Sequence, residues 1–332
     1  MAKFNNGFEN IKVELIDCAG NDLARRVCCF GQGAEFYEGF NNISDYCPDN
    51  PKCEQIVDDI IKGDTFPKYA MSGHSVTFSI KGISRICLAQ LTREGSSDTG
   101  TFFCSESSGT RPLTQEQIVP MNIYANPDWM KQWADINERM EKLYCEMLDA
   151  GIPFMDARYL MPHNQTINIC YTASIGSFIA SCKKRLDNSI ADEINYVYRL
   201  MIDAICMKVY SEVTDKLSLK LWKWLIQKMK VTHYSKNATY RNDFTVYPAE
   251  EDLPLAHNDW RKSQWKMELE RMYEELPWLL FPEELDMIKR WHTIQEQNGK
   301  LHANYDETAA FTPETTIKKM YYYKEHKNET DI

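Results

Sequence analysis

Residues 74 to 93 decide the fold, and they read His74-Ser75-Val76-Thr77-Phe78-Ser79-Ile80-Lys81-Gly82-Ile83-Ser84-Arg85-Ile86-Cys87-Leu88-Ala89-Gln90-Leu91-Thr92-Arg93. In the first half of this stretch, apolar Val76, Phe78 and Ile80 alternate with polar residues. A period of two is typical of a half-buried strand, because successive side chains of a strand point to opposite faces. We therefore predict a strand from Ser75 to Lys81 that ends at Gly82.

The second half of the same stretch changes from a strand period to a helix period. Its apolar positions recur at helical spacing, namely Ile83, Ile86, Cys87 and Leu91. This spacing predicts a short helix between residues 83 and 92, with Arg85 and Gln90 on it or close to it. A strand that leads directly into a helix is thus the central unit of the predicted fold.

Periodic segments extend this pattern in both directions. Alternation predicts another strand from Asn10 to Asp17, and helical spacing predicts helices over residues 54–61, 127–150 and 187–208. Residues 156–181 are predicted to hold a short helix, a loop at 162–164 and a second helical stretch. Residues 31–52 are rich in Gly, Asn, Asp and Pro, which predicts a loop. The whole pattern is mixed α and β with helices in excess.

The composition changes near residue 212. Six of the tryptophans follow that point, together with charge-rich helical stretches such as 259–275; these are Trp222, Trp224, Trp260, Trp265, Trp278 and Trp291. Such an aromatic region is expected to pack on its own core or on a partner chain. We therefore predict one domain over residues 1–211 and a Trp-rich, mostly helical extension over residues 212–332.

Bulk properties exclude several classes of protein. A net charge of −10 argues against a general nucleic-acid surface, which needs clustered Lys and Arg. No apolar run is long enough for a membrane span, and the first residues lack the apolar stretch of a secretory signal. The 11 scattered cysteines favour free thiols in a reducing compartment, and their spacing matches no usual zinc pattern. The sequence predicts a cytoplasmic protein with no metal site.

Several blocks resemble one enzyme family in the same order along the chain. Residues 74–93 are similar to the strand-to-helix segment that precedes the signature motif of flavin-dependent thymidylate synthases. Further matches follow at Gly151-Ile152-Pro153, at Asp156-Ala157-Arg158-Tyr159-Leu160-Met161-Pro162, at Lys184-Arg185-Leu186-Asp187 and at Glu193-Ile194, and Gly20-Asn21-Asp22-Leu23 matches earlier. The similarity is patchy but colinear from about residue 10 to residue 210, so the chain resembles a divergent member of this family.

The resemblance implies a site for a pyrimidine nucleotide. Arg93 matches the first arginine of the motif, and residues 105–111 resemble its second half. The implied nucleotide contacts are Gln90, Arg93, Glu106, Ser108, Gly109, Arg111, Arg158 and Arg185. Guanidinium groups bind phosphate oxygens two at a time, and a donor such as Arg185 at the base would stabilise enolate charge on C5 activation. Arg93 and Arg185 are therefore the predicted catalytic residues.

At the flavin-binding positions that the resemblance implies, several residues of the family are replaced. His74, Glu94 and Ser174 stand at implied cofactor positions, but Glu94 replaces the histidine of the motif. Ser174, Gly176 and Ala180 replace an Asn, an Arg and a further Asn of the family. His74 is equally consistent with a capping or core role, and the Ser-rich turn at 105–108 with a structural one. Cys104 is a further candidate, for attack on C6.

The resemblance also implies an architecture and a reaction. The implied fold is α/β (α+β), with a central, mostly antiparallel sheet flanked by long helices, assembled as a homotetramer with active sites between subunits. The implied reaction is methylation of dUMP to dTMP with methylenetetrahydrofolate, FAD and NADPH. Two alternatives stay open: a flavin-independent dUMP or dCMP hydroxymethylase, and a non-catalytic nucleotide-binding scaffold.

Overall fold

The structure is a computed structural model of the chain. Its described residues lie mostly before residue 231 and include most of the blocks quoted above. They are residues 4–6, 8, 10–31, 46–63, 73–93, 101–105, 116–120, 123, 126–186, 192–230, 274, 277–279 and 285.

An antiparallel sheet of four strands forms the centre of the fold, in the order β2-β3-β6-β4. Its strands are β2 (Lys12–Asp17), β3 (Ser75–Ser84), β4 (Thr101–Ser105) and β6 (Thr166–Ser174). Two short strands, β1 (Phe4–Asn6) and β5 (Gln117–Val119), form a separate parallel pair. Together with the helices, this sheet confirms the predicted mixed fold with an antiparallel sheet.

Helices flank the sheet. They are α1 (Leu23–Arg26), α2 (Pro51–Lys62), α3 (Arg85–Thr92), α4 (Pro127–Asp149), α5 (Phe154–Ala157), α6 (Ile175–Arg185), α7 (Asp192–Glu212) and α8 (Lys216–Met229). Shorter helical turns lie at Gly20–Asp22, Val27–Gly31, Arg158–Leu160 and Pro277–Leu279. The predicted helix over 127–150 is confirmed, and the one predicted over 187–208 is observed from Asp192.

Helix α2 begins inside the segment that the composition predicts to be a loop. Asn50 caps it, since its side chain accepts the Lys52 backbone N–H at 2.9 Å, and Pro51 occupies the first helical position. Both residue types are favoured there, because Asn satisfies an unpaired N–H and Pro has none to lose. The loop prediction is therefore wrong for residues 51 and 52 and for Gly31, which ends a helical turn, while residues 32–45 lie outside the described part of the chain.

Strand β3 confirms the alternation seen in the sequence, since Val76, Phe78 and Ile80 are all fully buried. It does not end at Gly82, as predicted, but continues to Ser84. Gly82 instead lies where the pairing register with β6 shifts, with a φ of 77°, and its N–H donates to the Asn168 side chain at 3.0 Å. Glycine adopts this left-handed backbone without steric cost, so it bends the strand rather than ending it.

Gly82→Ala is expected to destabilise the protein by about 1–3 kcal/mol. An added Cβ would lie 2.9 Å from the Asn10 backbone oxygen, in addition to the strain of a positive φ. Urea unfolding of the two proteins measures the loss. Gly151→Ala is the matched control, because Gly151 has a φ of 83° but nothing within 4 Å of an added Cβ. An equal loss in both variants would contradict the role of the close approach to Asn10.

Strand β6 corrects the sequence-based prediction for residues 166–174, which were expected to fall in a helical stretch. Ile167, Ile169, Tyr171 and Ala173 are buried at a period of two. The strand pairs with β3 on one side and β4 on the other, so it lies inside the sheet. β-branched and aromatic residues favour such a position, and the alternation was present in the sequence as a signal for it.

Helix α8 belongs to the same hydrophobic core as the sheet. Leu221, Trp222, Leu225 and Ile226 are fully buried, and the Trp222 indole N–H donates to the Gly20 carbonyl oxygen at 3.0 Å. The division of the chain at residue 211 stays a prediction. Of the other C-terminal tryptophans, Trp224 is buried on α8 and Trp278 is half-buried against the core, whereas Trp260, Trp265 and Trp291 lie outside the described residues.

All 11 cysteines are described and are free thiols. Within the described ranges, no group of three or more His, Cys, Asp or Glu residues is placed to bind a metal ion. Among the helices that the structure describes, none has both the length and the apolar character needed to cross a bilayer.

Candidate functional site

The candidate site is built where β3 ends and α3 begins. Ser84 caps α3, because its Oγ accepts the Cys87 backbone N–H at 3.0 Å. The Ser84 N–H and hydroxyl donate in turn to the two carboxylate oxygens of Glu193 on α7, at 2.6 and 2.5 Å. Burial raises the pKa of Glu193, and the hydrogen bonds from Ser84 oppose this rise. This pair fixes the start of α3 against α7.

Arg185 and Gln90 come together at the other end of α3. Arg185 is the last residue of α6, it is half-buried, and its Nη2 donates to the Gln90 backbone oxygen at 3.0 Å. The Asn195 side chain donates to the Arg185 carbonyl oxygen at 3.0 Å, and the Arg199 Nε donates to the Asn195 oxygen at the same distance. Arg185 and Gln90, two predicted nucleotide contacts that are 95 positions apart in sequence, therefore lie side by side. Helix α7 supports Arg185 through Asn195.

Arg158 lies near Arg85, a residue to which the sequence analysis assigned no role. Burial lowers the pKa of the Arg85 guanidinium, and the positive charge of Arg158 lowers it further. The Arg85 Nε is buried, and it has no hydrogen-bond partner among the described residues. Two neighbouring guanidinium groups with an unsatisfied donor can bind an anion such as phosphate.

A signal for Arg85 was present in the sequence. It occupies the first residue of α3, where the helix dipole disfavours a positive charge. An arginine at that position needs a negative partner, which the described part of the chain does not show. Arg85 lies at the start of α3 and Arg93 directly follows its end. Because α3 has eight residues, these two ends are about 12 Å apart.

The remaining predicted nucleotide contacts divide into two groups. Arg93 directly follows α3 as its C-terminal cap and is exposed. Glu106, Ser108, Gly109 and Arg111 lie outside the described residues, as does Glu94. The structure thus places Gln90, Arg93, Arg158 and Arg185 on or around one helix, while their contact with a nucleotide stays a prediction.

His74 and Ser174, two predicted cofactor residues, lie close together at the start of β3 and the end of β6. Ser75 pairs with Ser174, and the His74 carbonyl oxygen accepts the Ile175 N–H at 2.8 Å. The Ser174 hydroxyl already caps α6, where it accepts the Ser177 N–H at 3.2 Å. Burial, and less strongly the charge of Arg26, lower the pKa of His74 and favour a neutral ring.

These positions do not fit the flavin-binding set that the resemblance implies. The Ser174 side chain is engaged in capping, and Gly176 and Ala180 carry no polar side chain. The His74 Nδ1 is buried, and it has no hydrogen-bond partner among the described residues. One neutral imidazole is a weak counterpart for a dianionic dinucleotide.

A family model described as Thymidylate synthase complementing protein, Thy1, matches residues 41–210, which is about half of the chain. Curated relatives are named flavin-dependent thymidylate synthases. The one from Thermococcus onnurineus is 29% identical over 104 residues, covering 31% of this chain and 42% of the relative. The one from Halobacterium salinarum is 28% identical over 153 residues, covering 39% and 62%. The one from Pyrococcus abyssi is 26% identical over 167 residues, covering 47% and 66%.

The chain therefore spans between 42% and 66% of the length of these curated relatives. Among solved structures, a UMP/dUMP methylase from Streptomyces cacaoi bound with 5-Br dUMP superposes with a TM-score of 0.48 and 17% identity. That superposition covers 65% of this chain and 96% of the methylase.

Proposed function

Since this chain belongs to the Thy1 family of thymidylate synthase complementing proteins, as the resemblance predicted, we propose that it transfers a one-carbon unit to C5 of a pyrimidine nucleoside monophosphate of the dUMP type. The observation that carries this proposal is the hydrogen bond between Arg185 and Gln90. Two residues implied to bind the same nucleotide are held together there by α3 and α6.

The charges around α3 support an anionic substrate. Arg85 and Arg158 are neighbours with no acidic partner among the described residues, and Arg185 lies at the opposite end of the helix. The Glu193 carboxylate accepts hydrogen bonds from the Ser84 N–H and hydroxyl, and no ion pair joins it to Arg85 or Arg158 within the described structure. A phosphate dianion would satisfy the paired guanidinium groups and leave Arg185 for the base.

The chemistry follows from this arrangement. For C5 of uracil to attack a methylene carbon, negative charge must develop on the ring carbonyl oxygens. Arg185, held in place by its own hydrogen bonds, would donate to such an oxygen and stabilise that charge. The methylene carbon is supplied by methylenetetrahydrofolate, whose carbon–nitrogen bond breaks to release tetrahydrofolate, and the C5 proton leaves once the new carbon–carbon bond has formed.

Completion of a methyl group needs two further electrons, which the family resemblance assigns to FAD reduced by NADPH. The misfit at Ser174, Gly176 and Ala180 favours a second candidate, which is hydroxymethyl transfer to dUMP or dCMP. In that reaction, water adds to the transferred methylene group and no net reduction occurs. Both candidates use the same nucleotide site.

The homotetramer implied by the family is also part of the proposal, and the long helix α4 supports it. Trp129, Ile136 and Leu143 are 59%, 57% and 46% exposed and follow each other at seven-residue spacing. This spacing places them along one face of the 23-residue helix, as in helices that pair. Tyr159, also exposed, directly follows Arg158 on a short helical turn that contacts α4. A second copy that packs on α4 would therefore lie near the proposed nucleotide site.

We expect dUMP to raise the melting temperature of the purified protein, because a ligand that binds only the folded state stabilises it. At a concentration of one hundred times Kd the gain is about 2.7 kcal/mol. Deoxyuridine, which lacks the phosphate, is the control and should produce a much smaller shift. Equal shifts with both compounds, or none with dUMP, would contradict the nucleotide site.

The product and the spectrum separate the two candidate reactions. A yellow protein with flavin absorbance that yields a methylated base supports thymidylate synthesis. A colourless protein that yields a hydroxymethylated base, identified by mass, supports the second candidate. Binding of dUMP without any product after addition of methylenetetrahydrofolate, FAD and NADPH would leave the non-catalytic scaffold.

A further inference from the structure

Two exposed cysteines lie opposite each other on the central sheet. Strands β4 and β6 are antiparallel, and their register pairs Cys104 directly with Cys170. Both are free thiols, and both are exposed. Directly opposite residues of an antiparallel pair project from the same face of the sheet. Since the neighbouring Tyr171 is buried in the core, Cys170 and Cys104 project from the opposite, open face.

The backbone geometry of this pair suits a disulfide. Cα atoms of directly opposite residues are about 4.5 or 5.5 Å apart, depending on the hydrogen-bonding position. Disulfides span Cα distances of about 4.4–6.8 Å, so both cases are allowed. The Cβ atoms, about 4.5–5.5 Å apart in such pairs, must approach to about 3.8 Å. Strand β4 is the edge of the sheet and can make this small movement, since only β6 pairs with it among the described strands.

We propose that Cys104 and Cys170 form a redox modification site, at which a low-molecular-weight disulfide such as oxidised glutathione converts the two thiols into a cross-strand disulfide. One thiolate attacks the glutathione disulfide, forms a mixed disulfide and releases one reduced glutathione. The second thiolate then attacks the sulfur of the first cysteine and displaces the second reduced glutathione. Each cysteine loses one proton, and the two electrons of the pair pass to glutathione.

The other cysteines differ from this pair in exposure or position. Cys28 and Cys53 are also neighbours, since the Cys28 thiol donates to the Cys53 carbonyl oxygen at 3.9 Å, but both are fully buried. Burial raises the pKa of Cys28 and suppresses its thiolate form, which is the reactive one. Cys145 is exposed on α4 and is not paired with another cysteine by strand register, so it serves as an internal control.

The position of the pair gives its oxidation a consequence. Cys104 precedes Glu106 by two residues, and Glu106 begins the segment that holds four of the predicted nucleotide contacts. A bond to Cys170 in the centre of the sheet would tether the chain immediately before that segment. The thiol pair itself does not depend on the proposed function.

Incubation of the full-length protein with oxidised glutathione tests the site. Thiols are counted after denaturation and alkylation, and peptides are mapped by mass spectrometry with fragmentation that distinguishes Cys170 from Cys182. We expect the loss of two of the 11 thiols per chain and a peptide that links Cys104 to Cys170. Reduction with dithiothreitol should restore all 11 thiols.

Single substitutions identify the partners. Cys104→Ser and Cys170→Ser should each abolish the linked peptide, whereas Cys145→Ser should retain it. Circular dichroism confirms that the variants are folded, which is expected because both side chains are exposed. A thiol count that stays at 11 in the unmodified protein, or a link between any other pair of cysteines, would overturn the proposal.

Discussion

Replacement of Arg185 by alanine is expected to abolish detectable dUMP binding and to leave the protein folded. The guanidinium is held by the Gln90 carbonyl oxygen and supported through Asn195, so its position is fixed before substrate arrives. Because the same donor would also stabilise charge in the transition state, any activity that remains at saturating dUMP should show a kcat lower by about 10²–10³. In the folded state, the loss of the hydrogen bond from the charged guanidinium to the Gln90 oxygen costs about 1.5–3 kcal/mol, which is within the usual stability of a protein.

Calorimetric titration with dUMP and urea unfolding measure the two effects separately. Lys183→Ala is the matched control, since Lys183 lies on the last turn of α6 but is exposed. Arg185→Lys should recover the charge but only part of the affinity, because a lysine lacks the planar fork of donors. Unchanged affinity in Arg185→Ala would remove Arg185 from the site, and an unfolded variant would assign it a structural role instead.

Trp222→Ala is expected to destabilise the protein by about 3–5 kcal/mol, the usual cost of removing a buried aromatic side chain. Trp222 is fully buried on α8, and its indole N–H donates to the Gly20 carbonyl oxygen. The same turn is bound to α8 by Ser218, whose hydroxyl donates to the Asn21 carbonyl oxygen at 2.7 Å and accepts the Ala24 N–H at 3.0 Å. The cavity left by the indole would therefore weaken the contact between the helical turn Gly20–Asp22 and α8.

Urea unfolding followed by circular dichroism measures this loss. Trp222→Phe should retain most of the packing and lose only the hydrogen bond, so its effect should be smaller. Phe102→Ala is the control, because that aromatic side chain is 70% exposed on β4 and its loss should change stability little. Equal stability of Trp222→Ala and the unmodified protein would show that α8 is not part of the cooperative core.

A large part of this fold could be predicted from local periodicity in the sequence. The alternation of Val76, Phe78 and Ile80 predicted β3, and the helical spacing that follows it predicted α3. Helix α4 begins at Asn126 and Pro127 and is followed by Gly151, signals that act within a few residues of the helix ends. Such features can be predicted from the sequence because side-chain direction and helix capping depend on residues only a few positions apart.

The resemblance of separate blocks to one family also came from the sequence, and the match of residues 41–210 to the Thy1 family confirms it. Of the predicted nucleotide contacts, the structure brings Gln90 and Arg185 into direct contact and places Arg158 near the same helix. The role of these residues in binding remains a prediction, as do the roles of Glu106, Ser108, Gly109 and Arg111. The order of these residues along the chain did not reveal the distances between them in the folded protein.

Only the tertiary structure decided which distant segments meet. Strand β6 alternates like β3, but its neighbours β3 and β4 lie far from it in sequence, so its central place in the sheet was not readable locally. The proximity of Arg85 to Arg158 and the pairing of Cys104 with Cys170 could likewise not be predicted from the local sequence. Each pair depends on sheet register and helix packing, which are set by burial across the whole core and not by the spacing of residues along the chain.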